Sequence, residues 1–162
     1  MFLVVAAGYD LMTRRIPNWL TAPGIVAGIG INWYFGNVSQ SLMGFGAAFG
    51  IYFLLFALRA RGGGDVKLMA AVGAFVGLQL WWPIFIVTSI LGGVVVLLSL
   101  ACNGGLAKAM ENVNKILGSL GRFKAPHSEH PELDVAHPQA KTMPHGAVIA
   151  IATIGYLLWV AR

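Results

Sequence analysis

Apolar residues run nearly unbroken along this chain, interrupted only by short polar or glycine-rich stretches, a pattern of membrane-spanning helices rather than of one-sided amphipathic ones. Measured against the roughly 20 apolar residues needed to cross a hydrocarbon core, six spans are predicted, at residues 2 to about 12, 19–35, 41–58, 66 to about 80, 82–101 and 143–161. Several fall short of that length, so their ends are expected to be buried against neighbours or to sit in locally thinned bilayer. The first is the shortest and has the apolar look of a signal peptide. No basic residue precedes it, however, and Tyr9-Asp10 followed by Arg14-Arg15 does not read as a cleavage site, so it is taken as a retained helix. The predicted fold is all-α, a polytopic membrane protein of about six transmembrane helices in one domain over residues 1–162.

One segment breaks the pattern. Leu106, Met110, Val113, Leu117 and Leu120 recur at helical spacing with Lys108, Glu111, Asn112 and Lys115 between them, which predicts an amphipathic helix on the membrane surface. From Lys124 the periodicity fails, and Pro126, Pro131 and Pro138 point to a flexible loop, so 103–142 is read as a cytoplasmic helix plus loop. His127, His130 and His137 lie in that loop without a recognisable ligand spacing, and no metal site or other cofactor is expected.

Composition agrees with the pattern. Hydrophobic residues make up 57% and charged residues 10% of the chain, and the mean hydropathy is +0.74, against about 25% charged in soluble domains. The single cysteine, Cys102, excludes an internal disulfide and a CxxC zinc site. A net charge of +5 does not indicate nucleic acid here, because the basic residues stand singly between apolar runs. They track topology instead. With the N-terminus outside, Arg14, Arg15, Arg59, Arg61, Lys67, Lys108, Lys115, Arg122, Lys124 and Lys141 all fall on the cytoplasmic side, leaving Arg162 outside, and the opposite loops carry no charge.

That orientation brings two acids to one depth. Of the six acidic residues, Glu111, Glu129, Glu132 and Asp134 lie in the polar segment, so Asp10 and Asp65 are the only carboxylates in the apolar body, both at the cytoplasmic ends of their spans. Ionisable groups at membrane depth are expensive and mark function by default. Two carboxyl groups held close in a poorly solvated site share a proton, so one can take a proton from water while the other polarises a carbonyl. Each acid taken alone would also be explained by a helix cap or a basic partner.

The flanks suit such a site. Gly62, Gly63 and Gly64 remove three side chains beside Asp65, which allows positive φ and the approach of an extended backbone. Lys67 is two residues beyond Asp65, on another helix face, and is expected to reach lipid phosphates. In the run Arg14-Arg15-Ile16-Pro17-Asn18-Trp19, Arg15 anchors the cytoplasmic surface, Pro17 sets a turn and Asn18 caps the second helix.

Asp10-Leu11-Met12-Thr13-Arg14-Arg15-Ile16-Pro17-Asn18 together with Gly62-Gly63-Gly64-Asp65-Val66-Lys67-Leu68 resembles the prepilin peptidases, the GxGD class of intramembrane aspartic proteases, and within them the short form serving tight-adherence (Tad/Flp) pili. Met143-Pro144-His145-Gly146 resembles the family's Pro-x-Gly segment, with Pro144 and Gly146 in the matching places. The resemblance implies that Asp10 and Asp65 are the catalytic pair of a multi-pass peptidase in the bacterial inner membrane. It also implies a prepilin substrate, cut at the cytoplasmic face after a glycine that precedes its hydrophobic helix. Membrane lipids are the other expected partner, and the oligomeric state is open. Larger bifunctional relatives carry two CxxC pairs in a cytoplasmic domain near the N-terminus and N-methylate the product. This chain has neither those cysteines nor that domain, so methylation is not expected of it. Two other readings stand beside this one: a small transporter using Asp10 and Asp65 as a proton relay, and a signal-peptide-peptidase-like protease, which shares the GxGD element but not the Arg-Arg-Ile-Pro-Asn context.

Overall fold

The computed structural model describes residues 2–14, 16–58, 61–102 and 145–162, with 110–111, 113–114 and 118 between them. The described residues are all-α and contain no strand. Five helices follow in order, α1 (Phe2–Thr13), α2 (Asn18–Tyr34), α3 (Val38–Ala57), α4 (Gly63–Cys102) and α5 (His145–Val160). By length and apolarity α3 and α4 are able to cross a membrane. Within 103–142 the described residues are helical; the rest of that segment, including the three histidines, lies outside the described residues, as do Arg15, Arg59 and Pro144.

The helix α4 is 40 residues long but breaks at Gly77 (φ 75°, ψ 172°). That conformation is essentially restricted to glycine. Beyond it the chain reverses. Phe85 stands edge-on to Tyr52, ring centroids 6.1 Å apart, and Gly92 faces the His145 imidazole, Cε1 being 3.1 Å from where a Cβ would stand. Tyr52 is near the end of α3 and His145 opens α5, so the second part of α4 runs back toward the end where its first part began. The two helices predicted at 66–80 and 82–101 are thus both present in α4, joined at a sharp reversal with no loop between them. The break falls at Gly77 rather than between Leu80 and Trp82 because Gln79 and Pro83 are both accommodated in the returning helix, whereas only Gly77 can take the required φ.

Breaking a helix frees carbonyls, which are costly where no water reaches. The Asn32 amide donates to the carbonyls of Ala74 and Phe75, each at 3.1 Å, and the Ser41 hydroxyl donates to Ala74 at 2.6 Å. Side chains of α2 and α3 therefore close the first segment of α4.

The bundle is packed through small residues. Thr21, Gly24 and Gly28 of α2, Ser41, Gly44 and Ala48 of α3, and Gly73, Ala74 and Gly77 of α4 are buried, while Val26, Trp33, Ile90, Leu98, Ile151 and Leu158 point outward and are exposed. This is the distribution expected where lipid covers the outside and close backbone approach holds the inside. A Cβ on Gly44 would overlap the Gly73 carbonyl oxygen and one on Gly28 would stand 2.9 Å from the Ala74 carbonyl carbon. Both α2 and α3 therefore rest on the backbone of α4.

Candidate active site

One end of the bundle collects the chemistry. It is formed by the end of α1, the start of α2, the end of α3 and the starts of α4 and α5, and it carries Asp10, Asn18, Tyr52, Asp65, Lys67, His145 and Gly146. Asp10 is 6% exposed, one of only a few buried polar side chains among the described residues. Its partner comes from 136 positions away. The Gly146 N–H donates to Asp10 Oδ2 at 2.7 Å, and since α5 starts at His145, this N–H is one of the first-turn donors that a helix leaves without an intrahelical partner. Anionic groups are favoured at that end of a helix.

The contact depends on Gly146 having no side chain. A Cβ there would stand 2.9 Å from Asp10 Oδ2 and 2.9 Å from Ile16 Cδ1. Those separations are too short for a real Cβ, and the partners are a carboxylate already hydrogen-bonded and a buried isoleucine. Gly146→Ala should therefore displace α5 from Asp10 and cost about 1–3 kcal/mol of stability, as over-packing of a tight contact does. The check is detergent melting of the purified variant; an unchanged transition would show that α5 does not press on Asp10 at Gly146.

Asp65 is half-buried in the first turn of α4, and its N–H donates to the Gly62 carbonyl at 3.2 Å. Asp10 and Arg61 lie within electrostatic range of it. None of Gly62, Gly63 and Gly64 uses the positive φ that glycine allows. Gly63 and Gly64 are already helical, so negative φ follows from their place in α4. Their use is steric. The Ile16 Cβ is 3.4 Å from where a Gly64 Cβ would stand, Phe56 lies 3.5 Å from that of Gly63, and Gly62 faces open space. Ile16, 7% exposed, thus wedges between the starts of α4 and α5 directly beside Asp10.

The motif residues flanking the acids are joined differently from expectation. Pro17 is the N-cap of α2 and no side chain caps that end, so Asn18 does not serve as the cap. It stands one position too late, inside the helix, where its side chain is free to turn elsewhere. It accepts a hydrogen bond from Lys67 Nζ at 2.6 Å, so Lys67 ties α4 to α2. Ile16, Tyr52 and His145 drew no role from the sequence, since apolar and aromatic residues are common in any span. The Pro-x-Gly resemblance pointed to Gly146, but its partner Asp10 emerges only on folding. Among the described residues no three His, Cys, Asp or Glu side chains group as metal ligands.

A helical bundle with two carboxyl groups at one end, one of them gripped by a helix N-terminus, is an arrangement of the paired-carboxylate kind. The chain belongs to the type IV leader peptidase family, whose model matches residues 1–97 and so includes both Asp10 and Asp65. It is similar to a preflagellin peptidase of Methanocaldococcus jannaschii, 33% identical over 81 residues, or 46% of this chain and 34% of that protein. It is also similar to a prepilin leader peptidase/N-methyltransferase of Xanthomonas campestris pv. campestris, 33% identical over 103 residues, or 57% of this chain and 36% of that protein. The chain thus covers about a third of the length of each of these relatives. No solved structure matches it.

Proposed function

We propose that this chain is a prepilin peptidase of the short tight-adherence (Tad/Flp) type, an aspartic endopeptidase that removes the basic leader from its substrate at the cytoplasmic face of the bacterial inner membrane. The observation that carries the reading is the Gly146 N–H bound to buried Asp10 at the end of the bundle where Asp65 also stands. In this reading the helix pair of α4 supplies two spans, six in all, and the acids sit at the cytoplasmic boundary, in keeping with the basic loops.

The reaction needs no group beyond the two carboxyls. Water adds to the scissile carbonyl carbon, giving one proton to the ionised carboxylate, while the carbonyl π pair moves onto oxygen, which takes the proton of the protonated partner. Collapse of this intermediate breaks the C–N bond as the proton gained from water passes to the leaving amine, and the carbonyl forms again as its hydroxyl proton returns to the second carboxyl. A peptide bond inside a helix is shielded from such attack, so the substrate must be extended there. The uncrowded side of Gly62 supports an entrance for an extended strand, and a glycine before the cut unwinds at least cost.

Co-expression with a prepilin tests this. Processing should require the chain, should persist when the glycine before the cut becomes alanine but at a lower rate, and should fail when it becomes valine or phenylalanine. Efficient cutting of the bulky substrates would remove the glycine entrance from the account, and an unprocessed parent prepilin would remove the peptidase reading itself.

A further inference from the structure

The buried face of α3 consists of Ser41, Gly44, Ala48 and Tyr52. Three of these are small and let α3 lie on the backbone of α4; the fourth is large and is the one nearest the acid end. The register places it. Phe56 lies 3.5 Å from the position of a Gly63 Cβ, and α3 runs antiparallel to the first part of α4, so Tyr52, one turn before Phe56, stands level with the turn of α4 that begins at Asp65. Asp65 and Arg61 are both within electrostatic range of the phenol.

The ring is fixed. Tyr52 is 2% exposed and sits edge-on against Phe85, whose other ring contacts are a stacked Trp81 at 5.2 Å and an edge-on Trp82 at 6.2 Å. Its hydroxyl makes no hydrogen bond among the described residues, and the side chain is fully buried. A donor held rigidly at the acid end and unused by the protein is placed for a substrate group that enters beside Asp65. Packing alone would be served as well by phenylalanine.

We propose that Tyr52 is a further catalytic residue, its hydroxyl donating a hydrogen bond to the oxygen of the scissile carbonyl, on which negative charge builds as water adds. The assignment rests on the peptidase reading above. In a site poor in water a fixed donor of this kind acts mainly on the transition state. The Arg61 guanidinium adds a positive field on the same side.

Tyr52→Phe keeps the ring and removes only the donor. With a purified prepilin in detergent, kcat should fall about 10²-fold, the scale of losing one oxyanion donor, while KM stays within about twofold. A peptide carrying a hydroxyethylene isostere in place of the scissile bond should lose affinity by the same factor as kcat, and a peptide with the ordinary bond, bound to the Asp65→Asn variant with and without Tyr52→Phe, should bind equally. The melting temperature should not move. Wild-type kcat in Tyr52→Phe, or a lowered kcat with undiminished isostere binding, would overturn the assignment, as would a loss that follows the melting temperature. Wild-type protein that leaves the prepilin intact removes the peptidase reading first and this assignment with it, which separates that failure from the failure of Tyr52 alone.

Discussion

Asp10→Asn and Asp65→Asn should each reduce prepilin cleavage by at least about 10³-fold, within the range that a positioned acid or base supplies, while both proteins stay folded in the membrane. Asparagine keeps the shape of the side chain, and at position 10 its carbonyl oxygen can still accept from the Gly146 N–H. At position 65 the Gly62 backbone hydrogen-bonds the carboxyl group, and an asparagine oxygen can accept from the same N–H. What is lost is the capacity to take up or release a proton at the reacting bond. Both roles of the pair need it, so neither variant should be rescued by the remaining acid. The measurement is the ratio of processed to unprocessed prepilin, beside the level and melting temperature of each variant. Substantial processing by one of them would take that acid out of the mechanism; inactivity joined to a collapsed protein level would reassign it to the fold.

Gly44→Ala and Gly73→Ala should be among the most destabilising changes a single methyl group can make here. A Cβ at Gly44 overlaps the Gly73 carbonyl oxygen and stands 2.7 Å from the Gly77 carbonyl carbon, and one at Gly73 overlaps the Gly44 carbonyl oxygen. These obstacles are backbone, not the far ends of flexible side chains, so the helices must part. Replacing glycine by alanine inside a helix ordinarily gains about 1 kcal/mol, but forcing apart a packed interface costs about 1–3 kcal/mol and loosens every other contact between α3 and α4. The same helix supplies its own controls. Gly46 and Gly50 have nothing within 4 Å of a built Cβ, and their alanine variants should melt at or above the wild-type temperature. Thermal unfolding of all four variants in one detergent decides the matter, and four equal transitions would mean that α3 and α4 do not touch through their backbones.

Much of the site was legible because the membrane makes charge conspicuous. In a soluble protein Asp10 and Asp65 would be lost among dozens of surface acids; in a chain with six acidic residues, four of them in one polar segment, they stand alone. The glycines beside Asp65 were equally visible, but their use was not: sequence spacing suggested unusual backbone, and folding put two of them in ordinary helix to admit Ile16 and Phe56. Lys67 and Asn18 were each given a plausible local role, lipid contact and helix cap. Their meeting with each other went unread, since a pair separated by 49 positions leaves no periodic trace in the chain. The break in α4 was displaced by a few residues for a similar reason. Proline and glutamine are the visible punctuation in a run of apolar residues, yet the residue that turns the chain is the glycine whose φ no other side chain would adopt.

The sequence by itself determined that the chain is all-α and built for lipid, because apolar runs leave the backbone no partner but itself, and it determined which two acids are out of place in such a body. Tertiary structure alone decided what surrounds them. The grip of α5 on Asp10, the wedge of Ile16, the Lys67–Asn18 tie and the level at which Tyr52 stands all join residues far apart in the chain. They follow from small residues letting helices approach until individual backbone atoms touch, which is a matter of three-dimensional fit and not of pattern.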